Sequence, residues 1–342
     1  MLVVIYHATR MLQPPQYFGK IAFDNVFGFG HAGVDFFFVL SGFIIYYVHH
    51  QDIGRPEKTQ KYVWKRLRRV FPIYWIVTAV VIGMAPLHHD RPDLSLLHIA
   101  TSVLLLPGAD TPLVGVAWTL QYEVLFYFLF AVAIGSRLLG SKIFVVWGLC
   151  VLFGWAVGAS RWGFGFFVAP IQFEFLAGIG CARLVLYGSV PRPRLTAVLG
   201  VVGFLVAGAI ENAGMVRWTS TSSSAMFTVA SAVIVIGLAA AERNGLIVAG
   251  RGARFVGEVS YSLYLIHIVV LGLVVFLLAR TGLVHQLPAA ACVLLMVVAS
   301  FVGGVCLHRG VERPMMRALR RLGQQVPPQP RQALEQRRFS GQ

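Results

Sequence analysis

The chain has 342 residues, of which 57% are hydrophobic and only 13% charged, with a mean hydropathy of +0.72. A soluble domain does not carry that much apolar surface, so the composition predicts an all-α, polytopic integral membrane protein. The formal net charge of +15 lies in the gaps between apolar runs, where topology accounts for it, which argues against nucleic acid as a partner.

Length and hydropathy predict ten helices, over residues 1–12, 32–49, 70–86, 116–134, 143–159, 166–187, 195–211, 225–241, 258–279 and 288–308. The first is short: twelve residues rise only about 18 Å, and Pro14 and Pro15 close it. It has neither a basic start nor a small-residue cleavage site, so it is not a signal peptide; it reads as a helix lacking its first turns. Leu94 to Leu106 is apolar but too short to span and reads as an interfacial or re-entrant piece. Residues 1–321 form one transmembrane unit, and residues 322–342, rich in Gln, Pro and Arg, read as a disordered tail. The cysteines Cys150, Cys181, Cys292 and Cys306 all fall inside apolar runs without paired spacing. They read as small core hydrophobes, with neither a disulfide framework nor a metal site expected.

Assigning alternate loops to alternate sides puts 23 of the 29 Lys and Arg residues on one side. The positive-inside rule therefore predicts that both termini are cytoplasmic. The longest outer loop, about 87–115, is modest, and no internal repeat suggests an inverted-repeat carrier.

Depth then sorts the ionisable residues. His7 lies in the outer half of the membrane, and Asp35 enters the second helix from the outer loop within GVDFFFVLSGFII, Gly33 to Ile45. A carboxylate in lipid costs several kcal/mol unless it is paired or faces a wet cavity. At similar depths, Asp35 and His7 are expected to hydrogen-bond, the carboxylate orienting the imidazole as a general base; a packing histidine and an interfacial cap are the bland alternatives. At the opposite face, Arg66 and Arg69 are three apart on one helix face and lead into Pro72 and Tyr74. Planar guanidinium forks suit phosphate oxygens, so Arg66, Arg69 and Tyr74 are candidate donor-binding residues. An outer base and an inner phosphate clamp suit a coenzyme A thioester, which joins a phosphorylated head to a long acyl-bearing arm. In AWTLQYEVLFYF, Ala117 to Phe128, Glu123 and Tyr127 share a face. Glu123 either binds or deprotonates an acceptor hydroxyl or pairs with another buried group, and Trp118 reads first as part of an aromatic belt.

In order and spacing, these stretches resemble membrane acyltransferase family 3, the integral membrane O-acyltransferases of bacteria and their relatives. The resemblance rests on YHA at Tyr6 to Ala8, GVDFFFVLSGF at Gly33 to Phe43, RLRRVFPIYW at Arg66 to Trp75 and WTLQYEVLFY at Trp118 to Tyr127. It extends through EFLAG at Glu174 to Gly178, GEVSYSLYLIH at Gly257 to His267, and VERP at Val311 to Pro314. The resemblance implies transfer of an acyl group, often acetyl, from cytoplasmic acyl-CoA to a hydroxyl of a glycan or lipid-linked glycan at the bacterial inner membrane, with no metal. It implies that His7 is the essential first-helix histidine, acting as base or as acyl carrier, and that Arg66 and Arg69 are the functional arginine pair. Asp35, Glu123 and His267 match motif positions of less defined role. His267 reads first as packing or hydrogen bonding near the inner half, and it joins Trp118 and Tyr127 as candidate substrate-binding residues. The family usually carries an arginine about three turns before the histidine, whereas this chain begins six residues before it. Two other classes stay open: a proton-coupled transporter, and a partner of polysaccharide-export machinery without chemistry of its own.

Overall fold

The computed structural model describes residues 1–87, 93–108, 110–157, 165–217 and 220–324. In chain order its helices are α1 (Leu2–Met11), α2 (Gly33–His49), α3 (Pro56–Met84), α4 (Leu96–Val103) and α5 (Trp118–Gly135). There follow α6 (Arg137–Val157), α7 (Gly165–Val168), α8 (Phe173–Tyr187), α9 (Pro193–Asn212) and α10 (Thr221–Arg243). The last are α11 (Arg251–Arg280), α12 (Leu283–Gln286), α13 (Ala289–Leu307) and α14 (Arg313–Gln324). Among the described residues there is no strand, and eight helices are long and apolar enough to cross a membrane: α2, α3, α5, α6, α9, α10, α11 and α13. The protein is an all-α membrane bundle.

Each of the ten predicted segments holds a helix among the described residues, with residues 158 and 159 of the fifth outside them, but there are informative differences. At 10 and 15 residues, α1 and α8 fall below the length of the other eight. The predicted 166–187 helix is broken at Pro170, which lacks an N–H and holds Ala169 in extended backbone (φ −60°, ψ 132°). The predicted 70–86 helix instead starts at Pro56, because the Lys- and Arg-rich stretch before it is made of good helix formers and Pro56 occupies the first turn. The 94–106 piece contains a single short helix, α4, whose N-terminal Ser95 side chain accepts the His98 N–H, and Leu96 and Leu97 are among its most exposed residues. The expected tail falls mostly on residues 325–342, outside the described residues. Of the cysteines, Cys181 and Cys292 are buried as expected, whereas Cys150 and Cys306 are exposed on the bundle surface.

Packing follows from the solvent. Lipid tails are as apolar as leucine, so helices associate through close van der Waals contact at small residues rather than through hydrophobic burial. Large apolar side chains accordingly face outward, as Leu138, Val145 and Leu149 do on α6 and Val198, Leu199 and Leu205 on α9. A close seam joins α2 to α8. A Cβ on Gly42 would lie 2.2 Å from the Phe175 carbonyl oxygen, and one on Gly178 only 2.1 Å from that of Val39. Those two glycines bring the backbones together, and Phe38 and Phe126 close on Phe175 with ring centroids 4.8 and 4.6 Å away. A second core joins α1 to α11 and α13.

Candidate active site

The α2–α8 seam aligns two helix N-termini. Asp35 sits in the first turn of α2 and Glu174 in the first turn of α8, where the positive ends of the helix dipoles favour carboxylates. The N-terminal turn of α10 joins them: Ser220 caps it, and Ser224 Oγ donates to Glu174 Oε1 at 2.9 Å. Asp35 hydrogen-bonds with the Glu174 and Ser224 side chains, and His31 lies nearby. His31 Nε2 is 2.7 Å from Glu211 Oε1, and the other oxygen of Glu211, in the last turn of α9, accepts from Ser223.

Of these groups, Asp35, His31, Ser220, Ser223 and Ser224 line one side of a cavity of about 500 Å³, with Glu174 and Glu211 behind them and His7 and Tyr6 of α1, Trp118 of α5 and Tyr264 of α11 on the rest of its wall. Trp118 packs edge-on against Tyr122 and Phe38, so it belongs to the cavity as well as to any aromatic belt. The wall therefore presents carboxyl, hydroxyl and imidazole groups beside aromatic faces, a lining suited to a polyhydroxylated ligand.

His7 shares this cavity with Asp35, but no hydrogen bond joins the two among the described residues. Asp35 instead points its hydrogen bonding to Glu174 and Ser224, because those helix ends meet at α2. The ring nearest His7 in character is that of His267, whose centroid is 5.3 Å away. His267 therefore lies level with His7 along the bundle, since α11 packs against α1.

A second cluster lies deeper along the same helices. About 9 Å of helix rise separates Asp35 from Ser41 on α2, and about 7.5 Å separates Trp118 from Glu123 on α5. Here the buried Glu123 accepts from the Tyr127 hydroxyl and from Ser41 Oγ, the latter at 3.4 Å, with Arg66 and Arg69 close by. Glu123 thus takes the second of its two expected positions, paired with buried groups on the arginine side. The half-buried Arg66 donates to His49 Nε2 at 2.9 Å, and its guanidinium lies 5.6 Å from the Tyr62 ring and 5.9 Å from that of Tyr127. Because arginine only donates, His49 carries its proton on Nδ1, which donates to Asp52 at 2.8 Å. The Nε of Arg66 and the hydroxyl of Tyr62 are buried donors without a partner. Arg69 is exposed at this end.

Tyr74 stands apart from the arginines. It is fully buried and gives its hydroxyl to the Ser102 carbonyl at 2.7 Å, anchoring α4 to α3. Between the clusters, Phe37 stacks on Tyr264 at 6.3 Å, and the Tyr264 hydroxyl meets Thr119 Oγ1 at 2.7 Å.

Sequence reasoning on single residues missed Glu174, Glu211, His31 and His49. The signal was present: an ionisable side chain within an apolar helix is a functional candidate by default, and Glu174 and Glu211 both meet that description.

The chain belongs to the family described as acyltransferase domain, which matches residues 1–309, and it is a membrane O-acyltransferase. A relative that it resembles is the exopolysaccharide production protein ExoZ of Rhizobium meliloti (strain 1021), 30% identical over 305 residues that cover 85% of this chain and 91% of the relative. No solved structure matches.

Proposed function

We propose that this enzyme moves an acyl group, acetyl first among them, from cytoplasmic acyl-CoA to a hydroxyl of an exopolysaccharide or its lipid-linked precursor in the bacterial inner membrane. The observation that carries the reading is the pairing of a hydroxyl- and carboxyl-lined cavity around His7 with a separate cluster around Arg66 that keeps buried donors unfilled. The acceptor name comes from the relative; the positive-inside count supports the donor side.

Arg66, Arg69 and the Tyr62 hydroxyl hold the phosphates of the donor, and its thin arm passes Tyr264 towards the cavity. His7 takes the proton of the acceptor hydroxyl as the oxygen attacks the thioester carbonyl. The C–O bond forms, the C–S bond breaks, and the departing thiolate receives the proton from the His7 imidazolium, which restores the base. Asp35 and the serines of α10, with Glu174 holding Ser224 from behind, accept from and donate to the remaining hydroxyls of the glycan, while Trp118 packs against its ring.

The test is thioester cleavage by purified protein in lipid nanodiscs, following free CoA from acetyl-CoA with and without a cell-envelope glycan fraction. Glycan-stimulated CoA release that His7→Ala abolishes, with acetyl-CoA binding retained, is the expected result. Release that ignores both the glycan and His7→Ala would overturn the reading.

A further inference from the structure

His267 is completely buried, and its two ring nitrogens have different fates. Nδ1 lies 2.7 Å from the Tyr264 carbonyl oxygen. A carbonyl only accepts, so Nδ1 carries the proton and, in the neutral ring, Nε2 is left as an acceptor. That Nε2 is buried and has no hydrogen-bond partner. A buried acceptor without a donor is unfavourable and is rare in folded proteins, so it calls for an explanation.

The neighbour able to supply a donor is His7. The two rings are 5.3 Å apart, centroid to centroid, and tilted by 43°. The Tyr6 ring also lies beside His7, at 5.2 Å between centroids and 71° between planes, and His7 borders the cavity whereas His267 does not. The carboxylate expected to orient His7, Asp35, is instead engaged with Glu174 and Ser224. A general base needs one nitrogen free for the acceptor proton and the other held by a partner, and hydrogen bonds of this kind often tighten only when substrate is bound.

We propose that His267 is the positioning residue for His7, accepting through Nε2 a hydrogen bond from one nitrogen of His7 and so directing the lone pair of the other into the cavity. This rests on the reading of His7 as the base. The device differs from a carboxylate orienter in placing no second charge beside the reacting atoms: a backbone carbonyl sets the tautomer of His267, and His267 sets that of His7. Tyr264 links the relay to the donor path, since its carbonyl holds His267 while its ring stacks on Phe37.

Two measurements on the full chain in nanodiscs test it. Steady-state kinetics of His267→Ala should show kcat reduced about 10- to 100-fold, the range seen when a residue that orients a functional histidine is lost, with KM for acetyl-CoA and for the glycan unchanged. His267→Gln, whose amide nitrogen can meet the Tyr264 carbonyl while its oxygen accepts from His7, should recover part of the loss. Nitrogen-15 spectra of ring-labelled histidine, with the His7 signal assigned by its disappearance in His7→Ala, should show a single His7 tautomer in the parent and a mixture in His267→Ala. An unchanged kcat in both variants, a loss confined to KM, or a His7 tautomer indifferent to His267 would overturn the proposal. Because the spectra need no turnover, they report on the link between the two rings even if His7 proves not to be the base.

Discussion

Replacing Arg66 with lysine keeps the positive charge on α3 but removes the planar fork. Arg66 holds His49 at 2.9 Å, lies over the Tyr62 and Tyr127 rings, and keeps a buried Nε–H unfilled. If that free donor meets a donor phosphate, its loss removes one hydrogen bond to a charged group, worth about 1.5–3 kcal/mol, which at about 1.4 kcal/mol per factor of ten is about 10- to 100-fold in affinity. Arg66→Lys should therefore raise KM for acetyl-CoA by that factor and leave kcat at saturating donor near the parent value, since the acceptor cavity is untouched. Arg66→Ala should do the same and in addition lower thermal stability by about 1–3 kcal/mol, because His49 Nε2 loses its donor and the buried Glu123 loses a nearby cation. Isothermal titration with CoA alongside the steady-state assay separates the two effects. Parent-like CoA affinity and KM in Arg66→Lys would refute the phosphate role and leave the arginine as a structural partner of His49 and Glu123.

Gly178→Ala puts a methyl group 2.1 Å from the Val39 carbonyl oxygen and 2.7 Å from the Phe43 nitrogen, both backbone atoms. The α2–α8 seam must open, at a cost of about 1–3 kcal/mol or more, and a lowered midpoint of thermal unfolding in detergent should come with lost transfer, because the same seam sets Asp35 beside Glu174; an unshifted midpoint would contradict the packing described. Tyr127→Phe removes the donor to Glu123 and should cost about 1.5–3 kcal/mol of stability while leaving KM for the glycan unchanged, as that hydroxyl lies outside the cavity. A raised glycan KM in Tyr127→Phe would place the acceptor in the deeper cluster instead.

Much of this protein is legible in its sequence, where the information is local. Hydropathy and length determine a helical membrane bundle, because a backbone in lipid must satisfy its own hydrogen bonds. Helical spacing places Arg66 and Arg69 on one face, and it makes Glu123 and Tyr127 neighbours, as their hydrogen bond shows. Motif order carried the family. Local rules also explain where the expected boundaries moved, at Pro170 and at Pro56.

Partner choice is a different matter. Asp35 and His7 stand at similar depths, yet depth cannot say which helix faces which, and several buried groups compete for each carboxylate. The glycines at 42 and 178 let α8 approach α2 so closely that Glu174 and, with α10, Ser224 reach Asp35 first. The packing of α1 against α11 then leaves His7 beside His267. By itself the sequence determined the class of molecule, its helices and the chemical kinds of group at each depth. Only the tertiary structure decided which of those groups meet, because helix contacts in a membrane are chosen by the shapes of small-residue seams distant in sequence.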